Sequence, residues 1–336
     1  MEEIGKYKEV VQAVEVYSLR GISVADHETL DPPRLLPKKI NVITGCNGSF
    51  KTTFLEALTV SLFMTSANIP RTVLGLASTL RMDPLWYYLL ARDGVDMSVN
   101  GYRVTSASLD DLKQVGPVVA IVNPVGFKLS KDGDTRILRV DLTSVLPQSV
   151  GITLRSETRK PLPNFTFISF SMPNPITPDF VNNFSPLINF SKVKELLKKV
   201  LGFDLIGVKV DELNRMNFVV AEGDRDVEIQ LLGSGFASLL LLILASSNDV
   251  VIHDNIENHL HPQLMLKAID LMRQSSSQWF ITTQSIEFLN YLLTAYPEGV
   301  MIYEFLKRDK VHVRQIEGKK AKELIDELYE DLRGLC

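Results

Sequence analysis

The alternation of apolar and polar positions divides the chain into stretches of different period. Val11–Ile22 (VQAVEVYSLRGI) alternates and predicts a strand. A loop punctuated by Pro32, Pro33 and Pro37 follows. The β-branched run Ile40, Val42, Ile43 stops at Gly45, and helix-forming residues run from Lys51 to about Met64. Thr65–Arg92 mixes short helical stretches with loop. The period then becomes two. VDMSVNGYRVTSA carries Asn100-Gly101 between alternating halves, and FKLSKDGDTRILRVDL repeats the device at Asp132-Gly133, so two hairpins are predicted.

Leu162–Phe170 reads as a further strand, followed by a Pro/Asn-rich break at Met172–Pro178. Ser191–Val200 (SKVKELLKKV) is a basic amphipathic helix, and strands near Gly207–Val210, Asn217–Ala221 and Asp226–Leu231 form a meander. Beyond Gln230 the pattern is apolar. A helix starts at Gly233-Ser234-Gly235, and buried strands at Val250–Asp254 and Gln278–Thr283 follow. A helix opens at Gln284-Ser285 and runs to about Leu293. A closing hairpin (VMIYEF and KVHVRQI) precedes a charged helix, Lys319–Leu332. The organisation expected is an N-terminal core segment 1–65, an inserted lobe 66–225 rich in antiparallel strands, and a second core segment 226–336. There is no internal repeat and no low-complexity tract.

Composition narrows the class. A chain of 336 residues, 45% hydrophobic and 23% charged, suits one sizeable α/β domain with an insertion, or two smaller domains. The formal net charge of −4 supplies no global attraction to nucleic acid or anionic membrane. Two cysteines, Cys46 and Cys336, build no disulfide framework and point to a reducing compartment. MEEIGKYKEV has no apolar signal-peptide core, and the longest apolar run, Leu239–Ala245, falls short of the about 20 residues that span a bilayer. A cytoplasmic protein without membrane attachment is expected.

The candidate chemistry begins at Ile40–Leu58 (INVITGCNGSFKTTFLEAL), where a strand, a Gly-containing loop and a helix N-terminus follow one another. These are the parts of a phosphate-binding loop, with first-turn N–H groups and the helix dipole directed at one point. Lys51 would reach the β- and γ-phosphates and the Thr52 hydroxyl would ligate Mg²⁺. Phe50 stands where the pattern has its last glycine, so an ordinary strand-to-helix turn remains the alternative. Gly233-Ser234-Gly235 is either another anion-suited N-terminus or a Ser-capped buried helix. Val250–Asp254 ends in a carboxylate at the sheet edge where ligands sit in open α/β sheets, and an Asp there can hold the Mg²⁺ of a nucleotide.

In order, GCNGSFKTT, GSGFASLL, VVIHDNIENHLHP and FITTQS resemble the ABC-type ATPases of the RecF/SMC/OLD group, especially short members without a long coiled coil. The resemblance covers roughly 11–65 and 205–335, including the ending KELIDELYEDLRG. It implies a P-loop NTPase head of mixed sheet with an antiparallel β subdomain and a helical/β insertion. It also implies a homodimer sandwiching two ATP molecules, Mg²⁺ as cofactor, and a DNA or effector-protein partner. Matched residue by residue, Asn47, Gly48, Ser49, Lys51, Thr52 and Thr53 would cradle the phosphates. Ser234 and Gly235 would touch the γ-phosphate held by the other subunit, and Thr52 and Asp254 would hold Mg²⁺. Arg20, in an LRG that matches the group's FRG, is either a phosphate contact or a solvated strand-end charge.

Three positions depart from the group: Phe50, Asn255 where the catalytic Glu stands, and Gln284 where the switch His stands. An amide cannot serve as a base, and glutamine carries neither proton nor positive charge. ATP binding with slow hydrolysis is therefore expected, the alternative being an ATP-gated dimerisation module that does not hydrolyse and regulates a partner. Glu257 offers a carboxylate two residues on, although the group places that position in a subunit-contact loop. His253, His259 and His261 are read as structural rather than as a zinc site. Cys46 is read as a small filler residue before a redox lever. KVKELLKKV and Arg155–Lys160 are read as solvated faces before nucleic-acid contacts. A P-loop kinase leaves GSGF and TTQS unexplained. No acidic cluster suggests a nuclease, and no residue of the insertion is assignable as the group's Gln that contacts Mg²⁺ and water.

Overall fold

The computed structural model describes residues 7–67, 80, 85–115, 124–142, 150–172, 190–210, 212 and 216–334. In chain order the strands are β1 (Val14–Leu19), β2 (Ile22–Asp26), β3 (Arg34–Leu35), β4 (Ile40–Gly45), β5 (Val95–Val99), β6 (Tyr102–Ser106), β7 (Val125–Lys131), β8 (Asp134–Leu142) and β9 (Val150–Glu157). They continue with β10 (Phe167–Ser171), β11 (Asp204–Val210), β12 (Met216–Glu222), β13 (Arg225–Glu228), β14 (Val250–Asp254), β15 (Gln278–Thr282), β16 (Val300–Lys307) and β17 (Val311–Glu317). The helices are α1 (Lys51–Thr65), α2 (Leu85–Asp93), α3 (Leu109–Val115), α4 (Phe190–Leu201), α5 (Ser234–Ala245), α6 (Pro262–Gln274), α7 (Ile286–Ala295) and α8 (Gly318–Leu328).

One large mixed sheet runs β10-β14-β15-β4-β16-β17-β2-β1-β5-β6-β7-β8-β9, with β3 paired to β1, and β11-β12-β13 form a separate meander. From β10 to β16 all neighbours are parallel. This is why Ile40–Gly45, Val250–Asp254 and Gln278–Thr282 are apolar runs buried on both faces rather than alternating strands. From β1 outward the ladder is antiparallel, forming a wing. Its two hairpins turn at Asn100-Gly101 (φ 52° and 78°) and Asp132-Gly133 (φ 50° and 87°), the left-handed pairs that a two-residue hairpin requires.

α1 is buried on almost every side, packed against β14 of the parallel sheet and β5 and β6 of the wing. Its apolar residues accordingly surround the helix rather than forming one stripe. The buried Arg136 of β8 donates from Nη1 to Met64 O at 2.6 Å and to Ser66 O at 3.0 Å. Its cation thus stands at the negative end of the helix dipole. α5 is similarly apolar throughout and packs against α4 and α6 on the other side of the sheet.

Several elements differ from expectation. Val11–Ile22 is not one strand: the chain reverses at Arg20-Gly21 (φ 49° and 71°) into the β1–β2 hairpin. The strand expected at Leu162–Phe170 begins only at Phe167, and it leaves the inserted stretch to pair in parallel with β14. Asp226–Leu231 ends in a 3₁₀ turn, Ile229–Leu232, and the terminal helix stops at Leu328. α7 starts at Ile286 because the Ser285 side chain accepts from Phe288 N and caps it. Most of Thr65–Arg92 and Met172–Pro178 lies outside the described residues. No helix among the described residues is long and apolar enough to cross a membrane.

The residue just before β4 carries a buried charge, at the end of the strand opposite Gly45. Lys39 is 1% exposed and donates from Nζ to Arg273 O, in the last turn of α6, at 2.5 Å. Burial, reinforced by the neighbouring Arg273 charge, pushes the ammonium down to about 8. An unfolded chain keeps that proton to about pH 10.4. Between these values the unfolded state binds more protons, so stability should rise with pH, by at most about 1.4 kcal/mol per unit. Denaturant midpoints of wild type and Lys39→Met across that window check this. The variant should lack the Lys39 share of the rise, and equal slopes in both proteins would refute it.

Candidate functional site

Three parallel neighbours, β14, β15 and β4, end side by side, and the candidate residues lie on the loops that leave them. After β4 the backbone turns through Gly45 (φ 136°), Gly48 (φ 78°) and Phe50 (φ 72°) before α1 begins at Lys51. Gly45 admits no side chain: a Cβ there would lie 2.3 Å from Phe305 O and 2.6 Å from Ser49 Oγ. Phe50 explains the broken glycine pattern. It adopts the left-handed conformation that favours glycine, while its ring packs on the core and lies 5.6 Å from Lys307 Nζ.

Lys51 is buried and donates to Gly45 O at 2.6 Å and Cys46 O at 2.7 Å, so its ammonium lies inside the curl of the loop. Burial pushes its pKa below the ordinary lysine value, with Asp254 and Glu257 pulling it back up. The Thr52 hydroxyl donates to Asp254 Oδ2 at 2.9 Å, and the Thr282 hydroxyl donates to Asp254 Oδ1 at 2.5 Å. Asp254, 6% exposed, is therefore oriented by the first turn of α1 and by the end of β15. A hydroxyl and a carboxylate meeting at this distance form the kind of oxygen donor set that suits Mg²⁺. Thr282 does not stand out in the sequence. Its only signal there is its place in the TT of FITTQS, yet its Oγ1 also accepts from Asn255 N at 2.7 Å.

A cleft of about 420 Å³ opens above these groups. Asn47, Gly48, Ser49, Phe50, Lys51, Thr52 and Thr53 line it from the loop and first helical turn, and Arg20, Asn255 and Gln284 close its sides. Arg20 is thus not a solvated strand-end charge. It sits in the β1–β2 turn with Nη2 3.7 Å from Oε2 of Glu56, a carboxylate on α1 that is 1% exposed. Asn255 has φ 57°, a conformation that asparagine accepts more readily than glutamate. Gln284 Nε2 donates to Asn47 Oδ1 at 2.9 Å.

Glu257 does not line the cleft, although its charge is felt at Lys51. Its Oε1 accepts from Gln284 N at 2.8 Å, and Oε2 is buried without a hydrogen-bond partner among the described residues. Ser234 and Gly235 do not line this cleft. They open α5 behind Gly233 (φ 110°), and a Cβ on Gly235 would lie 2.9 Å from His259 O. His253 is fully buried, edge-on to Phe170, and burial pushes it down to about 3, so it stands as a neutral imidazole. His261 is the N-cap residue of α6, and His259 sits in a turn with φ 65°. Cys46 is disulfide-bonded, not the small filler residue expected, while Cys336 lies outside the described residues. Gly334 packs against the loop, where a Cβ would lie 3.0 Å from Gly45 Cα.

The family model described as "AAA domain, putative AbiEii toxin, Type IV TA system" matches residues 129–290, just under half of the chain. No curated protein matches the sequence. Among solved structures, the chain is similar to an Smc head bound to the C-winged helix domain of ScpA, at 14% identity and TM-score 0.48, covering 93% of this chain and 99% of that one. It is also similar to the SMC head domain from Thermotoga maritima, at 11% identity and TM-score 0.45, covering 91% and 99%. The family match and the arrangement of phosphate loop, Asp254 strand and Thr282 strand agree with the ABC-type P-loop ATPase group that the motif order resembles.

Proposed function

We propose that the chain binds Mg-ATP in the cleft above β4, β14 and β15, and that two copies close around it. One observation carries this reading: Thr52 and Thr282, far apart in sequence, both donate to the Asp254 carboxylate. Loop N–H groups, the Lys51 ammonium and the Arg20 guanidinium supply the positive side of a triphosphate site, and Thr52 and Asp254 would hold Mg²⁺. When bound, the metal would neutralise charge on the β- and γ-phosphates. The residues themselves position the phosphates and shield them from water. Gly233, Ser234 and Gly235 present a second helix N-terminus that does not face this chain's own cleft, which suits contact with nucleotide held by another copy. In this reading 1–65 and 226–336 supply the catalytic core, and 66–225 is the region available to a DNA or effector-protein partner.

Turnover is slow in this proposal. Both side chains at the cleft wall that would handle the attacking water, Asn255 and Gln284, are neutral amides. The same two amides favour the second reading, an ATP-gated switch that regulates a partner and does not hydrolyse. Calorimetry and light scattering test both. Mg-ATP should bind and double the mass, and ADP should not. No heat and no change in mass would overturn the proposal. Dimerisation without any phosphate release would select the switch.

A further inference from the structure

The loops after β14 and β15 are joined to each other beside the phosphate loop. Asn255 N donates to Thr282 Oγ1 at 2.7 Å, and Ile256 N donates to Thr282 O at 3.0 Å. One step further, Gln284 N donates to Glu257 Oε1 at 2.8 Å, while the side chain of the same glutamine reaches forward to Asn47 Oδ1 at 2.9 Å. Gln284 and Asn47 line the cleft and Glu257 does not. The second carboxylate oxygen of Glu257 is buried and unpaired among the described residues, so it does not face a water held in the cleft. That geometry argues against Glu257 as the base that Asn255 cannot be. What the carboxylate does hold, through a charge-assisted bond, is the main chain of Gln284.

We propose that Glu257 is a positioning residue: its carboxylate pins the Gln284 main chain so that the Gln284 amide stands at the rim of the phosphate loop. The proposal rests on the nucleotide reading above and adds how the switch position is held. With its main chain fixed, Gln284 exchanges Asn47 for a phosphate oxygen by side-chain rotation alone. Without Glu257 the Gln284 main chain loses this hold while Thr282 stays tied to Asn255 and Ile256, and the Gln284 amide is no longer kept at the phosphates.

Hydrogen–deuterium exchange on the full chain reads the link directly, without nucleotide. In Glu257→Ala the Gln284 amide should exchange at least about tenfold faster, and in Glu257→Gln, which keeps an acceptor oxygen, within about threefold of wild type. With Mg-ATP, Glu257→Ala and Gln284→Ala should each lower phosphate release by about tenfold. The double variant should be no lower than either single one, because the two residues act as a unit. The Kd for Mg-ATP should stay within about threefold in Glu257→Gln. Unchanged exchange in Glu257→Ala would overturn the proposal. So would a Glu257→Gln variant as slow in phosphate release as Glu257→Ala, since that would make the charge itself essential. Wild type that binds no ATP, with exchange behaving as expected, would count against the nucleotide reading and leave the Glu257–Gln284 link standing.

Discussion

Lys51→Ala should weaken Mg-ATP binding by about a hundredfold and abolish ATP-dependent dimerisation. A hydrogen bond to a charged group contributes about 1.5–3 kcal/mol, and this ammonium would make more than one to the β- and γ-phosphates. The protein should also lose a little stability, because Nζ now ties together the carbonyls of Gly45 and Cys46 at 2.6 and 2.7 Å. Those carbonyls are the inner wall of the loop. Their loss of a donor loosens the loop in the absence of ligand, so the two effects can be separated. Calorimetry reports the binding loss, and thermal unfolding without nucleotide reports the loosening. If Lys51→Ala binds Mg-ATP as tightly as wild type, the triphosphate is not held here.

Asn255→Glu should raise phosphate release by about 10²–10⁴-fold, the range that a general base contributes. The gain has a structural cost. Asn255 adopts φ 57°, and glutamate in that left-handed conformation is less stable by about 1 kcal/mol. The variant is thus expected to be faster and slightly less stable, with Lys51→Ala on the same background silencing it. A stable variant with unchanged turnover would mean that position 255 does not address the attacking water. It would then favour the switch reading over the slow enzyme.

What could be read from the sequence was local. The Asn100-Gly101 and Asp132-Gly133 turns, the start of α1 at Lys51 and the apolar strand ending at Asp254 are each encoded within a few residues, and the structure has all of them. The β1–β2 reversal was missed because Arg20 carries the first left-handed φ, and arginine gives no turn signal there. Pairings between distant strands left no trace in the periodicity. Nothing in Phe167–Ser171 announces that it lies beside Val250–Asp254. At the site, the motif residues could be placed by their spacing. Their supports could not: Thr282 on Asp254, Glu56 near Arg20 and Glu257 on Gln284 are long-range contacts between unremarkable residue types. Phe50 shows the limit from the other side. The glycine pattern describes a backbone conformation, and that conformation persists here with a bulky residue in it.

The Arg136 contact at the end of α1 has a mechanical implication. The helix that starts at the Gly45–Phe50 loop ends in the grip of a guanidinium rooted in β8 of the wing. An axial slide of that helix must stretch those bonds or carry β8 along with it. The wing is thus geared to the loop like a lever to its pivot, and a molecule resting on it would sense the slide as a tilt.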